Sequence, residues 1–128
     1  MKPVKLKINT KLQSYSIIIG SNLISNILML SKKNSLEFKK CLVVIDNNIS
    51  KKIVAKVKKS LGGKITFIHF FKANEKNKNI DSVNKVLDIF LKKNFSRDDC
   101  LISIGGGITG DVSGFAASLF KRGLKFIN

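Results

Sequence analysis

The amino-acid sequence predicts an α/β fold, a parallel sheet wound with helices on both faces. Three observations carry that prediction. Strand-like and helix-like apolar periods alternate along the 128 residues. Two short runs, Cys41-Leu-Val-Val-Ile45 and Cys100-Leu-Ile-Ser-Ile104, are almost continuously apolar, as strands covered on both faces must be. The second run leads into Gly105-Gly106-Gly107 and then into a segment of small and apolar residues. Strand, tight turn and helix in that order make a Rossmann-like unit, and ligands of such sheets bind at the carboxyl ends of the strands.

The elements follow in order. Val4, Leu6 and Ile8 alternate with Lys5 and Lys7, the period of a half-buried strand. Tyr15 to Ile19 form a second strand, ended by Gly20-Ser21. Ser21 is a candidate cap for a helix with Leu23, Ile24, Ile27 and Leu28 on one face. Residues 31–40, rich in Lys, Asn and Ser, are expected to be a solvated loop. Cys41 to Asp46 form the next strand. Ile49, Ile53, Val54, Val57 and Leu61 then define a helix face opposite Lys51, Lys52, Lys56, Lys58 and Lys59, and Gly62-Gly63 stops that helix. Ile65 to Phe70 are a strand, Phe71 to Asn79 a polar loop, and Asp81 or Ser82 caps a third helix bearing Val83, Val86, Leu87, Phe90 and Leu91. After the glycine unit, Leu124 to Asn128 read as a strand cut off without its following loop, so the chain is expected to be truncated.

Composition bounds the function. A 44% hydrophobic share over this length suits one domain across residues 1–128, with a moderate core. No apolar run approaches the ~20 residues of a membrane span, and the lysine-rich start lacks the apolar centre of a signal peptide. A cytoplasmic location is the expectation. Cys41 and Cys100 each open an apolar strand, a usual place for reduced structural thiols. The net charge of +16 would ordinarily suggest nucleic acid. The basic residues are nevertheless 22 Lys against only Arg97 and Arg122, scattered over every helix, whereas base readout favours Arg forks. Enrichment in Lys, Ile and Asn together fits a nucleotide-composition bias, which argues against nucleic acid as the partner. The positive field should still attract phosphorylated ligands.

Candidate site residues gather at the ends of strands. The triple glycine lets backbone approach a ligand, and the amides and positive pole of the next helix favour a diphosphate; the alternative is only a tight turn. Asp111, four residues past Gly107, either accepts from a ligand hydroxyl or caps the helix. Asp46 ends its strand, before Asn47-Asn48, and either holds a ribose hydroxyl or caps the following helix. Glu75-x-x-Lys78, taken bare, is an exposed charge pair. His69, the only histidine, lies inside a strand and receives no function. Arg97-Asp98 reads as a solvated turn with a salt bridge, and Arg122 as a cation at a helix C-terminus.

The twenty residues from Ile104 to Gly123, Ile-Gly-Gly-Gly-Ile-Thr-Gly-Asp-Val-Ser-Gly-Phe-Ala-Ala-Ser-Leu-Phe-Lys-Arg-Gly, closely resemble the signature of the 3-dehydroquinate synthase family. The resemblance implies a dehydroquinate synthase-like N-terminal domain that binds NAD. It assigns Asp46 and Asn48 to the adenosine part and Glu75 and Lys78 to the cofactor, although Ala73-Asn74 stand where the family usually has Asp-Gly. It places Gly105, Gly106, Gly107, Ile108, Thr109, Gly110 and Asp111 around NAD, and gives Arg122 to substrate. The family holds its divalent metal, zinc or cobalt, through a Glu and two His of a C-terminal helical domain. That domain is absent from this chain, so no catalytic or metal-binding residue is expected in it, and the chain by itself is expected to be inactive. The implied reaction cyclises 3-deoxy-D-arabino-heptulosonate 7-phosphate, a sugar-acid phosphate, to 3-dehydroquinate with loss of phosphate, in a homodimeric enzyme. Related sugar-phosphate cyclases and metal-dependent polyol dehydrogenases are the alternatives within the fold. A basic nucleic-acid-binding module is the non-enzyme alternative.

Overall fold

A computed structural model describes residues 2–128; the first residue of the expected domain lies outside them. The chain begins with a hairpin of β1 (Val4–Asn9) and β2 (Ser14–Ile19), antiparallel with Val4 opposite Ile19 and Asn9 opposite Ser14. Thr10 closes its turn, its hydroxyl donating to the Gln13 carbonyl and accepting from the Gln13 amide. A 3-10 turn at Ile24–Asn26 then leads into α1 (Ile27–Lys33). The remaining elements are β3 (Lys40–Asp46), α2 (Lys51–Ser60), β4 (Ile65–Phe71), α3 (Ile80–Lys92), β5 (Cys100–Ile104), α4 (Gly107–Leu119) and β6 (Lys125–Ile127).

The main sheet has strand order β4-β3-β5-β6, all parallel. From β3 the chain moves outward to β4, then crosses back over β3 to β5 and continues to β6. The winding therefore reverses between β3 and β5, which opens a crevice at their carboxyl ends. Alternation along the strands divides the core in two. Leu42, Val44 and Leu101 pack with Val83, Val86 and Phe90 of α3 and Val112, Ala116 and Ala117 of α4. On the other face Cys41, Val43, Ile45, Cys100 and Ile102 pack with Val54 and Val57 of α2 and with Ile27 and Leu28 of α1. The helices thus cover both faces, as the continuous apolar strands require.

Several local expectations change. Asn79, with extended backbone, caps α3 by accepting from the Ser82 amide at 2.9 Å, and Asp81 and Ser82 lie inside the first turn. Ser21 caps nothing: the chain passes through Asn22 at φ 55° and enters helix by way of Leu23, without a side-chain cap. Ser31 to Lys33 belong to α1 rather than to the loop, because the Ser31 hydroxyl donates back to the Ile27 carbonyl at 2.7 Å and needs no water. Asn34 and the left-handed Ser35 end that helix. Ser50 caps α2 through the Ile53 amide. Cys41 and Cys100 are free, buried register partners on neighbouring strands, and burial pushes both thiols up from their ordinary pKa. Among the described residues no helix is long and apolar enough to cross a membrane.

His69 sits half-buried in β4, and burial followed by the charge of Lys85 lowers its pKa from the ordinary value. The folded imidazole is therefore harder to protonate than that of the unfolded chain, whose pKa is about 6.5. Below that value the unfolded state binds more protons, so stability is fully present above it and declines as pH falls through it. Thermal unfolding followed between pH 7.5 and 5 should show a larger loss of Tm for the parent chain than for His69→Gln.

Candidate functional site

The crevice at the β3/β5 reversal is floored by one close contact. Gly105, just past β5, has φ 156°, and a Cβ placed on it would lie 2.7 Å from Thr109 Oγ1, 2.9 Å from Thr109 Cβ and 3.1 Å from Asp46 Cβ. Only glycine lets the end of β5, the end of β3 and the first turn of α4 meet there. Gly106 and Gly107 differ: a Cβ on either would meet nothing within 4 Å, so their backbone faces open space. Gly106 is the N-cap of α4 and offers no side chain to the helix. The first backbone bond runs from the Gly110 amide to the Gly106 carbonyl at 3.0 Å, leaving the amides of Gly107, Ile108 and Thr109 without an acceptor among the described residues. Free amides at a helix N-terminus, with nothing above them, make a cradle that could accept an anion.

Asp46 borders the cradle. Its Oδ1 accepts from the Asn48 amide at 3.0 Å, closing a turn at the strand end, while the Asn47 amide donates to the Phe71 carbonyl and ties that turn to β4. The cap of α2 is Ser50, which removes the capping reading of Asp46. Oδ2 of Asp46 has no partner among the described residues. Asn48 is exposed beside it.

The loop after β4 is ordered by its own asparagines. Asn74 Oδ1 accepts from the Asn77 amide at 2.8 Å and Asn77 Nδ2 donates to the Lys72 carbonyl, forming a 3-10 turn at Glu75–Asn77. Asn74 thereby gives the Ala73-Asn74 departure a defined conformation. Lys78 does not pair with Glu75, as an isolated Glu-x-x-Lys would suggest. Its Nζ lies 2.9 Å from Asp111 Oδ2 on the second turn of α4. Asp111 is consequently not a helix cap. The hydrogen bond and then the charge of Asp111 raise the Lys78 pKa, keeping the ammonium charged. The bridge carries a positive group across from the loop to the entrance of α4.

Beneath the cradle lie three buried hydroxyls with no partner among the described residues, those of Ser103, Thr109 and Ser113. Sequence reasoning passed over Ser103 and Ser113, although a Ser within a buried apolar strand and a Thr and Ser four apart on one helix face were the available signal. Arg122 stands in the 3-10 turn Phe120–Arg122, at the far end of α4, about 20 Å along the helix from Gly107. The structure thus brings Asp46, Gly105, Thr109 and the free amides together, sets Lys78 and Asp111 beside them, and leaves Arg122 apart. Arg97 and Asp98 form no ion pair among the described residues; Asp99 instead meets Lys40 at 3.8 Å and accepts from the Ser96 amide at 2.7 Å. No group of three His, Cys, Asp or Glu side chains able to hold a metal occurs among the described residues.

The fold is shared with two solved synthases. A solved 2-deoxy-scyllo-inosose synthase in complex with carbaglucose-6-phosphate, NAD+ and Co2+ superposes with a TM-score of 0.83 at 21% identity, over 96% of this chain and 33% of that one. A 2-epi-5-epi-valiolone synthase from Streptomyces hygroscopicus subsp. jinggangensis, with NAD+ and Zn2+ bound, does so with a TM-score of 0.71 at 24% identity, over 93% of this chain and 33% of that one. Residues 68–128 match the family model described as 3-dehydroquinate synthase N-terminal. A 3-dehydroquinate synthase of Pelagibacter ubique (strain HTCC1062) is 60% identical over 125 residues, which is 98% of this chain and 34% of that protein. The chain belongs to the 3-dehydroquinate synthase family. It spans between a quarter and about a third of the length of the curated relatives it matches.

The two kinds of glycine separate experimentally. Gly105→Ala should destabilise the fold by about 1–3 kcal/mol, because the added methyl overlaps Thr109 and neither backbone can withdraw. Denaturant unfolding of the variant beside the parent chain measures it, and an unchanged midpoint would contradict the close contact.

Proposed function

We propose that this chain supplies the NAD-binding part of a 3-dehydroquinate synthase. The observation that carries the reading is the set of three acceptor-free amides at the N-terminus of α4, opening into the β3/β5 crevice. The free amides of Gly107, Ile108 and Thr109 would hold the diphosphate, with Gly106 and Gly107 leaving it room; Gly105 would set the turn, and Gly110, whose amide already donates to the Gly106 carbonyl, would keep the first turn of α4 closed. The free oxygen of Asp46 would accept from a ribose hydroxyl on the adenosine side, with Asn48 beside it. Lys78 would add a charge at the other side of the crevice, Asp111 holding it in place, and Glu75 lies in the same loop. NAD would supply reversible hydride transfer.

In the longer proteins of the family this part would serve the cyclisation of 3-deoxy-D-arabino-heptulosonate 7-phosphate to 3-dehydroquinate with loss of phosphate, in a cytoplasmic homodimer. Arg122 would reach substrate there. The described residues do not fit a divalent metal, so a zinc or cobalt ion would be held by residues outside them. The relatives' names and the NAD-bound synthases of the same fold support this reading.

Calorimetric titration with NAD tests it directly. Gly106→Val should weaken binding about tenfold or more while costing only about 1 kcal/mol of stability, the N-cap preference for Gly over Val, since its Cβ meets only open space. Lys78→Ala and Glu75→Ala should also weaken NAD binding with little effect on unfolding, because exposed charges contribute little to stability. Absence of NAD binding together with tight, salt-sensitive binding to duplex DNA would instead support a basic module. Incubated with the heptulosonate phosphate, NAD and zinc, the 128-residue chain should release no inorganic phosphate above a protein-free control; sustained metal-dependent release would overturn the placement of the metal outside it.

A further inference from the structure

Two glycines stand inside α4, where a helix by itself gains nothing from them. Gly110 and Gly114 lie one turn apart on one face, and glycine in a helix interior costs about 1 kcal/mol relative to alanine. The reason lies in β6. A Cβ on Gly114 would be 3.3 Å from the Phe126 ring, and a Cβ on Gly110 would be 2.9 Å from Oδ1, 3.2 Å from Nδ2 and 3.3 Å from Cγ of Asn128. One helical turn and two residues of strand advance by nearly the same length, about 6 Å, so the two glycines form a slot that takes Phe126 and Asn128 in succession. Phe126 packs there against the core beneath α3 and α4. Asn128 is different: it is exposed, and its carbamoyl group has no hydrogen-bond partner among the described residues. The Cα–Cβ bond of a helical residue tilts toward the helix N-terminus, so an amide lying in the Cβ direction of Gly110 sits beside the first turn of α4, level with the acceptor-free amides. The parallel register, with Ile127 beside Ile102, sets Asn128 next to Ser103. The buried hydroxyls of Ser103 and of Thr109 in the first turn are unpartnered too. Polar groups collect on this side of the turn, and the chain satisfies none of them.

We infer that Asn128 is a cofactor-contacting residue, its carbamoyl group donating a hydrogen bond to the diphosphate held by the amides of Gly107, Ile108 and Thr109. The inference rests on the NAD reading above and adds a side chain to it. Asp46 borders the cradle at the end of β3, and Lys78 stands beside it from the loop before α3; Asn128 closes the β6 side. An amide suits that place. It brings two N–H donors and no charge, so it lies against the Gly110 backbone without the desolvation cost of an ammonium and without the repulsion of a carboxylate. Gly110 is then required for the contact: any larger residue would push the amide out of the slot.

Calorimetric titration of the 128-residue chain with NAD tests the inference, with denaturant unfolding as the check on folding. Asn128→Ala should weaken NAD binding about tenfold, the loss of one hydrogen bond to a charged group. Asn128→Asp should weaken it further, since a carboxylate would face the diphosphate, and that extra loss should shrink as salt is raised. Gly110→Ala is the second probe. Its methyl meets the end of a flexible side chain and no backbone, so the unfolding midpoint should be no lower than the parent's, yet NAD affinity should fall about as far as in Asn128→Ala. Combining Gly110→Ala with Asn128→Ala should cost no more than either alone. Parent-like affinity in Asn128→Ala, or additive losses in the double variant, would overturn the contact and leave the NAD reading standing. Equal losses for Ala and Asp at every salt concentration would reduce Asn128 to a structural support and overturn the contact as well. A parent chain that binds no NAD would overturn the NAD reading itself and this inference with it.

Discussion

The contact at Gly105 is the constraint on which the site depends. There the ends of two adjacent parallel strands and the first turn of a helix come within van der Waals distance, and a single methyl group would push them apart. Because β5 turns so tightly, α4 begins immediately beside the end of β3, with its amino pole in the crevice and not beyond it. The next two glycines then stay open, and the helix starts with no side-chain cap. A Ser, Thr, Asp or Asn at Gly106 could satisfy one of the amides that the structure leaves free. Close packing below and openness above come from the same three residues.

Charge is organised locally against a uniform background. Lysines cover the surface, and α2 has no acidic residue between Lys51 and Ser60. Against that background the bridge between Lys78 and Asp111 is specific, joining the loop after β4 to α4 and holding an ammonium near the cradle. Being half-exposed, the bridge adds little to stability. Its consequence is positional: the 3-10 turn capped by Asn74 and the second turn of α4 are held at a fixed separation.

The division of labour between body and hairpin has a physical origin. The sheet buries both faces under helices and meets the requirement of parallel strands by itself. The hairpin alternates apolar and polar residues as a half-buried ribbon should, yet the body offers it no cover. Pattern and environment agree in the first case and conflict in the second.

Much of this architecture was legible in the sequence by itself. Continuous apolar runs gave β3 and β5, helical spacing gave α2 and α3, and the glycine signature gave both the turn and the family resemblance, because these signals are local and periodic. Tertiary structure decided what depends on residues distant in sequence. That Asp46 lies against Gly105 follows from strand order, and that Lys78 meets Asp111 instead of Glu75 follows from packing of α3 beside α4. The caps at Asn79 and the absence of one at Ser21 turned on backbone angles at single residues, which propensity does not fix. The sequence marked β1 and β2 as half-buried strands; only the fold showed that the chain leaves their apolar face uncovered, because burial depends on what packs against a strand as well as on its own alternation.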